Sequence, residues 1–260
     1  HINESGEVCV LPYQEKDDLH IPINRVVDEI KLQGLKLPVV IRFHDVLRAQ
    51  VRNLNLAFDN AIKEMEYQGC YRGVYPIKVN QMREVVEEIV DAGSEFDFGL
   101  EAGSKPEILA ALAYNTNKES LTILNGYKDE EYMRLALLGV KMGRQCIVVI
   151  ENFSELNLLL KVSKQENIRP LIGLRLKLSS ESRGKWASSS GENAKFGLSI
   201  LEIIKSLKVL EEENMLDCLK LLHFHMGSQI ADIKTIKEAI IEGSRVYAKI
   251  AKMGIDIEYL

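Results

Sequence analysis

Five short apolar runs recur along this chain at an almost constant interval: Gly73–Ile77, Phe96–Leu100, Leu121–Leu124, Cys146–Ile150 and Leu171–Leu176. Their starts lie about 25 residues apart, which is the length of one strand, one helix and two short loops. Amphipathic segments fill the gaps. Glu84–Asp91 puts Val85, Val86, Ile89 and Val90 on one face, and Ser104–Tyr114 does the same with Ile108, Leu109 and Leu112. Asp129–Leu138 and Ser154–Gln165 follow the same period, with Asp129 and Ser154 as expected N-caps. Gly93, Gly139 and Gly143 lie where helices should end. A helix at Ile200–Glu213, a strand at Leu219–His225, a helix at Ile233–Met253 and the apolar run Ile255–Leu260 continue the series. Strand–helix alternation of this kind demands a parallel sheet. Strands from Gly73 to Leu260 fit an α/β (β/α)8 barrel that lacks its last unit. A doubly wound sheet is the alternative, but no G-x-G-x-x-G turn follows the first strand.

The first 70 residues are less regular. Val8–Leu11 reads as a strand stopped by Pro12, and Pro22–Leu35 as a short helix with Gly34 near its end. Pro38–Phe43 is a β-branched run and reads as a strand. A long helix is expected from about Asp45 to Glu66, with Val46, Leu47, Val51, Leu54, Phe58, Ile62 and Met65 on one stripe. Ser179–Ala194 breaks the rhythm with a polar stretch that contains the single tryptophan, Trp186. A loop of that length is either a lid or a solvated excursion.

With 260 residues, 46% of them apolar, the chain is long enough for one large α/β domain or two smaller ones. A net charge of −5 argues against nonspecific nucleic-acid binding. No apolar run reaches transmembrane length, and no signal-peptide pattern opens the chain. Cys9, Cys70, Cys146 and Cys218 are far apart and read as reduced thiols of a cytoplasmic protein. The chain starts at His1 and stops inside an apolar run, so a fragment of a longer protein is expected.

In a parallel barrel, chemistry gathers at the C-terminal strand ends. Those ends carry Lys78 and Asn80, Glu101, Asn125, Glu151 and Asn152, Arg175 and Lys177, and His223 and His225. A lysine closing a buried strand is expected to be desolvated, which favours the neutral amine and makes it a nucleophile toward an aldehyde. The alternative is a lysine that snorkels outward. His223 and His225 share one strand face. They read as a metal pair, as in barrel hydrolases, or as an imidazole laid against a flat cofactor ring, with His223 as a satisfied core histidine. The remaining histidines, His1, His20 and His44, all lie before the barrel, so it offers no third histidine ligand.

Four stretches resemble one family: Val74-Tyr75-Pro76-Ile77-Lys78-Val79-Asn80-Gln81, Gly99-Leu100-Glu101-Ala102-Gly103-Ser104-Lys105, Lys195-Phe196-Gly197-Leu198 and His223-Phe224-His225-Met226-Gly227-Ser228-Gln229. They are similar to the biosynthetic arginine decarboxylases, in the alanine-racemase-like class of pyridoxal-phosphate enzymes. The resemblance implies a pyridoxal 5′-phosphate cofactor, with Lys78 as the Schiff-base lysine and His225 stacked on the pyridine ring. Arg175 would lie near the ring's phenolic oxygen, with Ser228 and Glu101 close to the cofactor. It implies L-arginine as substrate, agmatine and carbon dioxide as products, and a homodimer with shared active sites. Relatives acting on diaminopimelate, ornithine or lysine share the motifs, and a non-catalytic homologue would also keep them. The family is also described as using magnesium (Mg2+), for which the sequence shows no ligand cluster. By the same resemblance, residues 1–44 contribute strands to a β domain and residues 45–260 form the barrel. Family members continue with a glycine-rich phosphate turn, an acidic residue for the pyridine nitrogen and a β-rich domain. A chain ending before them is expected to be inactive alone.

Overall fold

The structure, a computed structural model, describes residues 1–13, 19–178 and 195–260. The stretch Ser179–Ala194, with Trp186, lies outside the described residues. Two compact units are present: His1–Tyr75 with Asn80–Phe98, and Pro76–Val79 with Gly99–Leu260.

In the first unit, β1 (Cys9–Val10) pairs antiparallel with β2 (Ile21–Pro22), and α1 (Ile23–Leu32) follows at once. The long helix α2 (His44–Glu64) packs on α3 (Arg83–Ala92). Leu47 and Val51 of α2 meet Val85 and Ile89 of α3 and the Phe98 ring, so two apolar stripes at helical period bury each other. Further along, Leu54 and Phe58 of α2 and Met65 just after it are exposed, with Phe58 stacked on Tyr71 at 3.8 Å. Arg48 pairs with Glu88 and Asp91 along the flank, and His44 meets Glu88 at 3.1 Å. The expected strand Pro38–Phe43 is not formed. β-Branched residues supply the propensity, but a strand exists only against a partner, and none pairs with this run among the described residues.

β3 (Val74–Pro76) begins in the first unit, and only its Pro76 belongs to the second. The second unit's strands follow in chain order: β4 (Gly99–Ala102), β5 (Leu121–Leu124), β6 (Gln145–Ile150), β7 (Leu171–Leu176) and β8 (Leu219–Phe224). β4 to β8 pair in parallel, each with the next, and Arg175 of β7 lies opposite His223 of β8. No reversal of order occurs, so the doubly wound alternative is excluded and the strands form a barrel wall. The run Ile255–Leu260 makes only one parallel bridge, Tyr259 to Leu221, but it holds the next wall position: Leu222 N–H donates to the Tyr259 carbonyl at 3.0 Å. Every residue of β5, and every residue of β6 after Gln145, is buried, as a sheet covered on both faces requires. The covering helices are α4 (Lys105–Tyr114), α5 (Glu130–Lys141), α6 (Phe153–Glu166), α7 (Ile200–Glu212) and α8 (Ile233–Lys252). None of the described helices is long and apolar enough to cross a membrane.

Three local expectations are corrected. The run Phe96–Leu100 is not one strand: Ser94–Phe96 forms a 3-10 turn, Asp97 is left-handed (φ 51°), and β4 begins at Gly99. Glu101 therefore sits inside the strand. Asn152, not Ser154, caps α6, because its side chain is the one that accepts from the Ser154 N–H. Gly139 does not end α5 but lies buried within it, where a Cβ would fall 2.5 Å from Cys146 Sγ. Asp129 caps α5 as expected, accepting from the Tyr132 N–H.

Candidate active site

The polypeptide leaves the sheet at Ile77, whose side chain is fully buried and whose N–H donates to the Glu101 carbonyl at 3.1 Å. Val79 N–H turns back to the Pro76 carbonyl at 3.1 Å. That turn puts Lys78 on the wall of a cavity of about 710 Å3, whose lining also includes Glu101, Arg175, His225 and Ser228. All five residues singled out from the sequence thus meet at one opening, at the C-terminal side of the strands. Lys78 is exposed, so the buried environment expected for a lysine closing a strand is not present. The strand ends at Pro76, two residues before it, and the side chain is exposed.

Each wall segment is pinned by its own bonds. Asn125 N–H continues the β4–β5 pairing to the Ala102 carbonyl at 2.9 Å, and its amide donates to Glu101 Oε1 at 3.2 Å. Glu107 Oε2 accepts from the Gly103 N–H at 2.7 Å. Gly126 follows with φ 82°, and a Cβ there would stand 2.2 Å from the Gly103 carbonyl oxygen, so only glycine lets the two loops close. Glu151, the first residue after β6, is buried. Its Oε1 accepts from Arg175 Nη1, and its Oε2 accepts from the Gly126 N–H at 3.0 Å. The Arg175 guanidinium carbon lies 5.9 Å from the centre of the Phe196 ring, a cation–π contact.

Behind Glu151, buried Lys128 and half-buried Glu155 complete an ionic cluster. Lys128 Nζ stands 3.5 Å from Glu151 Oε2 and 3.3 Å from Glu155 Oε2. Burial pushes the Glu155 carboxyl up, and Lys128 opposes the shift. Burial pushes His223 down to about 3, with the positive charges of Arg175 and His225 adding to it. Burial first, then Arg175 and Lys78, also lower His225. The expectation of a satisfied core histidine fails for His223: its ring lines the cavity, and its buried Nδ1 has no hydrogen-bond partner among the described residues. Asn125 Oδ1 is unpartnered in the same way. No three His, Cys, Asp or Glu side chains among the described residues are grouped to hold a metal ion.

Glu107 and Lys128 were not legible as site residues. Both sit in loops or first helical turns, and their partners are set by how neighbouring loops stack. Glu151 had the signal, a charge directly after an apolar run, but only the register shows that it faces Arg175.

The chain matches the family described as pyridoxal-dependent decarboxylase, pyridoxal binding domain, over residues 49–260. It is 46% identical to a biosynthetic arginine decarboxylase of Phocaeicola vulgatus over 259 residues, which is 100% of this chain and 41% of that protein. It is 48% identical to the protein of the same name from Gloeobacter violaceus, covering 99% of this chain and 40% of the relative. The chain thus spans about two fifths of the length of these curated relatives. The crystal structure of the biosynthetic arginine decarboxylase SpeA from Campylobacter jejuni superimposes with a TM-score of 0.85 at 34% identity, over 96% of this chain and 39% of that one. Diaminopimelate decarboxylase from Helicobacter pylori, complexed with L-lysine, shares the fold at a TM-score of 0.69 and 20% identity, over 88% of this chain and 54% of that one. A barrel wall that carries its polar groups at one end, and a family match running from α2 to the last residue, lead to the same place: the chain belongs to the pyridoxal-dependent decarboxylase family, as its pyridoxal-binding domain.

Proposed function

We propose that the protein to which this chain belongs decarboxylates L-arginine to agmatine and carbon dioxide, and that this chain holds the pyridoxal 5′-phosphate. The observation that carries the reading is the meeting of Lys78, Glu101, Arg175, His225 and Ser228 on one cavity. The donor set fits the cofactor. An aldehyde has to reach a primary amine, and exposed Lys78 is accessible to it. A flat aromatic ring suits a neutral imidazole, and both histidines of β8 and its end have their protonated forms disfavoured. Phenolic and phosphate oxygens suit the Arg175 guanidinium and the Ser228 hydroxyl. Asn125 Oδ1 and His223 Nδ1, buried and without a partner among the described residues, offer polar atoms still to be satisfied.

When bound, the cofactor supplies an electron sink for the pair left behind as carbon dioxide departs. The residues would do the rest. Lys78 would supply the amine that holds the cofactor's aldehyde, His225 would support its ring, and Arg175 would offset negative charge on it. Glu101 and Ser228 would hold its remaining polar groups.

Arginine as the substrate is supported by relatives of 42% to 48% identity that carry the name biosynthetic arginine decarboxylase. Residues 1–44 are assigned to a β-rich domain and 45–260 to the barrel. The Pro38–Phe43 run, which pairs with no strand among the described residues and has Val40 77% exposed, supports a strand partner elsewhere. A cytoplasmic homodimer completes the proposal. Magnesium is given no ligands here.

The test is carbon dioxide release by the protein at its full natural length from arginine, ornithine, lysine and diaminopimelate. Release from arginine alone is expected, with a visible Schiff-base band. Lys78→Ala should remove the band and lower turnover by at least about 100-fold, the scale of losing a group that handles protons and bonds directly. Release from another amino acid but not from arginine would overturn the substrate. A band that survives Lys78→Ala would overturn the site.

A further inference from the structure

We infer that Lys128, which lies outside the cofactor set, is a positioning residue that fixes the Arg175 guanidinium on the cavity wall by acting through Glu151. The inference rests on the pyridoxal reading of the cavity and deepens it.

The Lys128 side chain is 0% exposed, an uncommon state for a lysine. Its Nζ donates to the Gly126 carbonyl at 2.6 Å and to Glu155 Oε2 at 3.3 Å, and lies 3.5 Å from Glu151 Oε2. The Gly126 N–H donates to that same Glu151 oxygen at 3.0 Å. One ammonium group thus holds the 125–128 loop and both carboxylates. The other Glu151 oxygen is left to Arg175. Glu155 Oε2 also accepts from the Glu151 N–H at 2.9 Å, which ties the strand end to the first turn of α6.

The charges balance, with Lys128 and Arg175 against Glu151 and Glu155. Remove the ammonium, and buried Glu151 and half-buried Glu155 are left with one guanidinium between them. An unbalanced buried charge does not persist: a carboxyl takes up a proton or moves toward water. Either change weakens the hold of Glu151 on Arg175. Stability is a poor explanation for such a cluster, because desolvating four charges costs about as much as their attraction returns. Fixing a cavity-facing cation in one place is the better one.

The experiment uses the protein at its full natural length, titrated with pyridoxal 5′-phosphate and read by the position of its visible band and by Kd. K128M should shift the band and weaken binding about tenfold, a coupling within the range of contacting charges. K128M/E155Q, with charge balance restored and the acceptor to the Glu151 N–H kept, should return to within about twofold of wild type. In an R175M background, K128M should add less than about a twofold further loss. Equal losses in both backgrounds would overturn the inference, since Lys128 would then act elsewhere. So would a K128M band and affinity unchanged from wild type. Should K128M alone fail to fold, K128M/E155Q decides: wild-type band and affinity support the inference, and a tenfold loss in the folded double variant overturns it. A wild-type protein with no band would overturn the pyridoxal reading, and the inference with it. A normal wild-type band separates the two failures.

Discussion

At the scale of the residue, two side chains behave differently from what their neighbours in sequence suggest. Lys78 follows an apolar run but is exposed, because Ile77 is the last residue held in the wall. His223 follows two leucines and lines the cavity, with an Nδ1 that has no partner among the described residues. Period-two alternation puts His223 and His225 on one face, but it cannot say whether that face meets core or cavity. His223 has a consequence for pH. Its folded pKa is lowered to about 3, so between its unfolded value and that point the unfolded state binds a proton that the folded state refuses. The stability is fully present above about pH 6.5 and is lost as pH falls toward 3, by at most about 1.4 kcal/mol per pH unit. Urea midpoints at pH 7 and pH 5 should show this slope, and His223→Gln should flatten it. An unchanged slope in the variant would show that His223 is not the group responsible.

At the scale of the element, the 25-residue rhythm placed the wall strands and their covering helices, because buried parallel strands and amphipathic helices write their periods directly into the sequence. Boundaries were less legible. Glycine marks a helix end when it takes a left-handed turn, as Gly143 does at φ 77°, but Gly139 marks a close contact inside α5 instead. Two glycine substitutions should therefore differ. An added Cβ at Gly139 meets Cys146 Sγ at 2.5 Å and a Leu112 methyl at 2.9 Å, both side-chain atoms with some room to adjust. Gly139→Ala should cost about 1–3 kcal/mol of overpacking, offset by about 1 kcal/mol of helix propensity. At Gly99 the Cβ would stand 1.9 Å from the Leu121 carbonyl oxygen, and backbone can yield only by pushing β4 off β5. Gly99→Ala should cost more than about 3 kcal/mol, beyond the usual overpacking range. Denaturant midpoints check the order; Gly139→Ala as the more damaging of the pair would refute it.

At the scale of the whole molecule, the four cysteines report burial in both units. Cys9, Cys146 and Cys218 are buried, Cys70 is exposed, and burial pushes the Cys146 thiol up to about 11. A colorimetric thiol reagent at pH 8 should therefore react quickly with one thiol per native chain and with four after denaturation. A second fast thiol would contradict the packing around Cys9, Cys146 or Cys218. The sequence by itself determined the parallel α/β class and put Lys78, Glu101, Arg175 and His225 near the ends of apolar runs, whereas Ser228 was reached only through the resemblance of its motif to a known family. The class and the run ends follow from local periodicity, a short-range property. Tertiary structure alone decided that Pro38–Phe43 pairs with no strand among the described residues, that Glu101 lies within its strand, and that buried Lys128 and Glu151 and half-buried Arg175 form one ionic chain. Those facts depend on contacts between residues more than 20 positions apart, and nothing in local composition sets the register that brings them together.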